Sequence, residues 1–203
     1  MLVADYNSDT LILFLAPEAE NSLSETKNTI TRIYSGDQTL AYHFAGLPEP
    51  QKGPLNLNSA QIAELNGLLL RTGFKAELAP DTQAKFVIGY VDSISAHPDS
   101  DHLHIAQVKI SEDKLVQIVS GSPNLASGIK TVVCLPGAIM PSGKIIWPGQ
   151  LRGIDSYGMM AAPRELALRN APDHAGMIIL PDDFAEIGDS FNFEKANQLE
   201  FNN

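Results

Sequence analysis

The 203-residue chain predicts an α+β protein: a small N-terminal α/β unit over 1–83, a β-barrel or sandwich over 84–192, and a tail at 193–203. Three observations carry this. One helical pattern sits among three strand-like runs in the first eighty residues; a polar, proline-containing connector, LAPDTQAK, follows at 78–85; and from Phe86 onward the chain is short apolar segments cut by glycine and proline.

In the first unit TLILFLA, NTITRIY and TLAYHFAG read as strands, with SGDQ at 35–38 as the turn between the last two. The helix follows: Asn58 with Gln61 three residues on is an N-cap pattern, Ile62, Leu65 and Leu69 recur at helical spacing, and Gly73 closes the run. In the second unit FVIGYVDSI, HLHIAQVKI, LVQIVSG, KTVVCLPG and KIIWPGQL succeed one another at the spacing of a small β domain. Within HLHIAQVKI the apolar residues change phase, Leu103 and Ile105 against Val108 and Ile110, which predicts a β-bulge near Ala106 and Gln107. PRELAL at 163–168 is the one helical pattern here, with Pro163 suited to a first turn.

Apolar composition of 44% is ordinary for a globular protein, and the longest apolar runs, LILFLA at 11–16 and GMIILP at 176–181, fall far short of the ~20 residues of a membrane span. The N-terminus lacks the basic and small-residue features of an export signal, so a cytoplasmic protein is expected. The single cysteine, Cys134, lies in the apolar run TVVCL and reads as a buried small hydrophobe. A net charge of -10 repels polyanions at long range. The distribution softens that: residues 126–170 hold Lys130, Lys144, Arg152, Arg164 and Arg169 against only Asp155 and Glu165, five minus two, a local excess of three positive charges.

HPDSDHLH at 97–104 raises the question of a metal site. Such a site needs three or four side chains converging on one point. His102 and His104 share a face of an extended strand, but His97 and Pro98 precede that strand in a turn-like stretch, and no second cluster completes a ligand set. A loop whose aspartates and serine bond local amides is expected, with no metal and no other cofactor.

Three further segments follow this loop in order: VSGSPNL at 119–125, LPGAIMPSGKI at 135–145 and LRGIDSYGMMAAPREL at 151–166. The series resembles the tRNA-binding domain of the EMAP-II type, also present near the N-terminus of bacterial phenylalanyl-tRNA synthetase β chains, where the patterns run HPxADKL, GxPN and LRGxxSxGM. The first unit resembles the leader of the free-standing bacterial tRNA-binding proteins called YtpR. The resemblance implies an oligonucleotide-binding (OB-fold) barrel over 84–192, tRNA as partner and no catalytic domain. Departures are His102 where the pattern has lysine, which removes a fixed positive charge, and Ser120 and Ala161 where cysteines are frequent.

At the matched positions the resemblance points to Asn124 as a donor and acceptor for a base or ribose, and to Lys130, Lys144, Arg152 and Arg164 as phosphate cations. Arg152 stands first among these for its bidentate fork. Ser156 is expected to bond ribose or phosphate, and Met159 to pack on a base. Structural readings stand beside each: Asn124 shaping a turn, Met159 in the core, Trp147 plugging the barrel or stacking on a base, and Gly149, Gly153 and Gly158 serving backbone geometry.

Enzymatic motifs are missing. SGSPN lacks the strand-to-helix context of a nucleophile elbow, GSPNLASG lacks the lysine of a phosphate-binding loop, and Asp182 and Asp183 lie in a polar turn. Two rivals to tRNA binding stay open: a docking module for a synthetase or ribosome-associated protein, favoured by the net negative charge, and a metal-dependent hydrolase built on the histidines. A homodimer is also open.

Overall fold

In the structure, a computed structural model, residues 2–7, 9–47 and 53–201 are described. The chain divides into two compact units, 1–83 and 84–203. Both are mostly β with few helices.

The first unit contains β1 (Val3–Asn7), β2 (Thr10–Phe14), β3 (Leu23–Lys27), β4 (Ile30–Ser35), β5 (Gln38–Ala45), β6 (Gly53–Leu55) and α1 (Ser59–Arg71). The strands form one sheet in the order β3-β4-β5-β2-β1-β6, and every recorded pairing is antiparallel. The unit is therefore a meander-like sheet with one helix, rather than an alternation of strand and helix. On α1 the Asn58 side chain accepts from the Gln61 amide while the Gln61 side chain accepts from the Asn58 amide, satisfying two orphan donors. Ile62, Leu65 and Leu69 face a core with Leu13, Tyr42, Phe44 and Phe74, each worth about 1.5–3 kcal/mol of burial. Gly73 at φ +78 ends the helix, its N–H bonding Leu70 O and that of Phe74 bonding Leu69 O, a Schellman closure. The Asn66 amide then fixes the returning chain from both sides, donating to Leu78 O at 2.9 Å and accepting from Leu78 N at 3.0 Å.

The second unit contains β7 (Phe86–Ala96), β8 (His104–Ser111), β9 (Lys114–Ser120), β10 (Lys130–Cys134), β11 (Gly149–Leu151), β12 (Ile154–Ser156), β13 (Met159–Met160) and α2 (Phe193–Ala196). A five-stranded sheet in the order β13-β10-β7-β8-β9 curls into a half-barrel, and the Tyr157 amide donating to Gln117 O at 2.8 Å draws the β12–β13 connection onto β9. The first half of β7 and all of β10 are buried or half-buried on both faces. Val87, Val91 and Val133 belong to one apolar cluster with Ala106, Val108, Ile118 and Met160, whereas Ile88, Val132 and Cys134 belong to a second with Ile146, Leu166, Ile178 and Phe191. That is why FVI and VVC are unbroken apolar runs rather than alternating ones.

The second cluster is roofed by loops and by the end of the chain. Leu180 N bonds Lys130 O, Phe191 N bonds Phe86 O, and Phe193, Leu199 and Phe201 pack on the cluster. Residues 193–203, read from the sequence as a tail, thus include a helical turn and core contacts through Phe201. Three further local expectations differ. The bulge lies on β7 between Val91 and Ser93, facing Val108 and Gln107 on β8, because the small Ala106 is itself fully buried and keeps Ala106, Val108 and Ile110 in phase. PRELAL forms a single turn that Ala167, at φ +53, closes through Leu168 N to Pro163 O. KIIWP forms no strand; Ile145 makes one bridge to Ile139 and Ile146 enters the core.

Close approach decides two glycines of the half-barrel. A Cβ on Gly89 would sit 2.4 Å from Val133 Cγ2, and one on Gly158, at φ +147, would sit 2.8 Å from the Cys134 carbonyl oxygen. Gly158→Ala is expected to destabilise the second unit by about 2 kcal/mol or more, through backbone clash and strain. In contrast Gly67, inside α1 and near only the movable end of Arg71, should give about 0.5–1 kcal/mol of added stability when replaced by alanine. Thermal unfolding of both variants checks these opposite signs.

Candidate nucleic-acid interface

Two of the signature segments meet in space. In the first, His97 is buried; its Nδ1 accepts from the Asp99 amide at 3.1 Å, which leaves Nε2 to donate to Leu151 O at 3.1 Å. In the second, β11 and β12 form a hairpin whose two-residue turn is Arg152 and Gly153, at φ 47 and φ 80, the signature of a type I′ turn. From that tip Arg152 Nη1 donates to Asp99 O at 2.8 Å, and its side chain is otherwise exposed. The loop at 97–103 and the hairpin at 149–156 are therefore stapled together twice, through His97 and through Arg152.

The GSPN segment is held in the same manner. The Asn124 amide donates to Met177 O at 2.9 Å and accepts from Met177 N at 3.0 Å, while Ser122 Oγ donates to Asn124 Oδ1 at 2.8 Å. Gly176 lets the chain pass, since a Cβ there would meet the Asn124 amide at 3.1 Å. Asn124 keeps one N–H outside these bonds. Ser156 is buried, its hydroxyl accepting from Val119 N at 3.1 Å and donating to Gly158 O at 3.4 Å. Met159 is half-buried against the second core cluster. The polar atoms of Asn124 and Ser156 thus serve mainly to fix the scaffold.

The cations divide into two kinds. Lys130 is half-buried and its ammonium donates to Asp182 O at 2.6 Å and Ala185 O at 2.8 Å, tying β10 to the loop that roofs it. Lys144 is exposed on the turn between Met140 and Ile146, and Arg164 is exposed on the turn after β13. Lys144, Arg152 and Arg164 thus present charge to solvent from three different loops. Lys109 on β8 is paired with Asp92, the bulged residue of β7, at 2.6 Å, and that bond holds its ammonium above the usual lysine range.

The histidines are not brought together. Both ring nitrogens of His97 are used internally, and among the described residues no three His, Cys, Asp or Glu side chains converge. Cys134 is fully buried, and burial, with the Glu165 carboxylate, pushes its thiol up to about 12. Trp147 is half-buried. No helix among the described residues is long and apolar enough to cross a membrane.

One exposed residue was passed over in the sequence. Tyr157 stands in the LRGIDSYGM segment and the residue is 45% exposed. Strand alternation with the inward Ser156 is the signal that places it outward.

A family described as "Putative tRNA binding domain" matches residues 86–190. Over nearly the whole chain, the sequence is similar to the Bacillus subtilis protein named "Putative tRNA-binding protein YtpR", 35% identical over 192 residues that cover 91% of this chain and 94% of that one. It is also similar to the phenylalanine–tRNA ligase β subunit of Rhodospirillum rubrum, 39% identical over 128 residues, which are 61% of this chain but 16% of that subunit. Among solved structures, the C-terminal domain of Plasmodium vivax p43 is similar at TM-score 0.37 and 20% identity, covering 58% of this chain and 68% of that one.

Removing the Asn124 clamp by Asn124→Ala is expected to cost about 1–3 kcal/mol, because it leaves the Met177 carbonyl without its donor and the Met177 N–H with Ser122 Oγ alone; chemical denaturation measures this. The raised thiol predicts that Cys134 does not react with a thiol reagent at pH 8 in the folded protein and reacts fully in denaturant.

Proposed function

The chain belongs to the tRNA-binding domain family, and from that premise we propose that it acts without catalysis, its second unit an OB-fold barrel that holds tRNA through phosphate contacts and unpaired bases. The observation that carries the reading is the double staple between the 97–103 loop and the 149–156 hairpin, which presents Arg152 on a fixed edge of the half-barrel. Barrels of this class receive oligonucleotides across a strand face bordered by loops.

Phosphate recognition falls to Lys144, Arg152 and Arg164, the three of the four sequence-predicted phosphate cations that are exposed. Their charge acts locally, within about 10 Å at moderate salt, so the net charge of -10 sets a long-range penalty without abolishing contact. Asn124, Lys130, Ser156 and Met159 support the surface from beneath, Asn124 with one N–H to offer. Recognition of tRNA by shape and backbone requires no metal, and cytoplasm is the compartment that supplies the ligand. The docking-module alternative is not favoured, since both the matching family and the full-length relative are described by tRNA binding.

Three phosphate contacts predict that the association constant for bulk tRNA falls by about two to three orders of magnitude per tenfold rise in salt. Filter binding at several salt concentrations measures the slope, and salt-independent binding contradicts the reading. Arg152→Ala should weaken binding and lower that slope by about one phosphate's worth while the protein stays folded. Unchanged affinity in the folded variant removes Arg152 from the surface.

A further inference from the structure

Of the phenylalanine, tyrosine and tryptophan side chains among the described residues, Tyr157 is the only exposed one. Its placement is fixed at both ends. The backbone N–H donates to Gln117 O at 2.8 Å, and the phenol donates to Asp155 Oδ2 at 3.3 Å. Asp155 is itself exposed, and its other oxygen accepts from Gln150 Nε2 at 2.7 Å across the β11–β12 pair. Gln117 Nε2 donates to the Asp155 carbonyl at 2.8 Å and its own carbonyl accepts from Gln107 Nε2 at 3.0 Å. Gln150, Asp155 and Tyr157 therefore share one outward face, continued onto the sheet by a row of neutral amides, while Ser156 between them points inward.

The chemistry of this face is wrong for phosphate and right for a base. A carboxylate repels a phosphodiester, and among the described residues Asp155 makes no ion pair that would cancel its charge. Each of its oxygens has one internal partner, so each retains an acceptor position. Two adjacent acceptors match a base edge with two adjacent N–H donors. Guanine, with its ring N–H and exocyclic amino group, is the base that offers them on its Watson–Crick edge; adenine and cytosine offer an amino group beside an acceptor, and uracil a single N–H. A ring held beside that carboxylate supplies the stacking surface on which unpaired bases are read. Arg152, at the turn of the same hairpin, supplies a phosphate anchor next to it.

We propose that Tyr157 and Asp155 form the base-reading element of the tRNA-binding surface, Tyr157 stacking on an unpaired guanine whose two N–H groups donate to the Asp155 carboxylate. This rests on the tRNA-binding reading above and adds what that reading lacks, a site where sequence matters.

Fluorescence anisotropy on the full chain tests it, with bulk tRNA and with labelled UUUGUUU and UUUAUUU as probes and unfolding midpoints recorded for every variant. Tyr157→Ala should weaken tRNA binding about tenfold with the salt slope unchanged, and Tyr157→Phe should retain wild-type affinity within about twofold, since stacking survives loss of the hydroxyl. The wild type should prefer the guanine heptamer about tenfold over the adenine one, and Asp155→Asn should abolish that preference by weakening only the guanine probe. Wild-type affinity in folded Tyr157→Ala, or equal binding of the two heptamers, overturns the proposal while salt-dependent tRNA binding leaves the broader reading standing. Loss of tRNA binding by the wild type itself overturns both.

Discussion

Every backbone group that strand pairing leaves over must find another hydrogen-bond partner, and in this protein four side chains supply such partners at Leu78, Val119, Leu151 and Met177. Asn66 brackets Leu78 and Asn124 brackets Met177, each amide donating to one backbone group and accepting from the other as a neighbouring strand would. His97 joins the loop before β8 to the hairpin at Leu151, and Ser156 joins that hairpin to β9 at Val119. Three of the four lie in the segments that carry the family resemblance. Their chemistry gives the polar residues that recur there a role in holding the backbone.

The three clamps of the second unit, at His97, Asn124 and Ser156, belong to loops and strands around a sheet packed from both sides. The first half of β7 and all of β10 feed an apolar cluster on each face, so a displacement of either disturbs two clusters at once. Gly89 and Gly158 allow the close approaches that curl the sheet, and the aromatic side chains of Phe184, Phe191 and Phe193 seal its outer face. A surface mounted on such a frame keeps its charges where they are. That matters for a protein with a net charge of -10, in which a few exposed cations on fixed loops have to act at short range.

The regular elements were legible in the sequence because their signals are local. Asn58, Gln61 and Gly73 mark both ends of α1, and the Gly/Pro-cut apolar runs of the second unit mark β7 to β10. What was not legible depends on partners distant along the chain. Ser156 reads as a polar residue free for ribose until Val119 is seen to donate to it, and Lys130 reads as a phosphate cation until the carbonyls of Asp182 and Ala185 appear around it. The phase change in HLHIAQVKI points to a bulge at Ala106 and Gln107, whereas the register shifts lie opposite, between Val91 and Ser93 on β7, and further along β8 between Lys109 and Ser111, since Ala106 carries too little hydrophobic signal to show which way it faces. The last residues looked like a tail because Phe193, Leu199 and Phe201 are scattered among polar side chains, and only the waiting apolar cluster makes them core. Tyr157 is the converse case: in sequence it is one aromatic residue among several, and the inward turn of its neighbour Ser156 is what sets it outward.

On the reading proposed above, the clamped edge formed by the 97–103 loop and the 149–157 hairpin is the surface that meets tRNA. Amide hydrogen exchange measured with and without bulk tRNA tests it directly. The account predicts added protection in peptides spanning 97–103 and 149–157, with α1 of the first unit unaffected. Protection confined to the first unit, or no change across 149–157 under conditions where tRNA is bound, would contradict it.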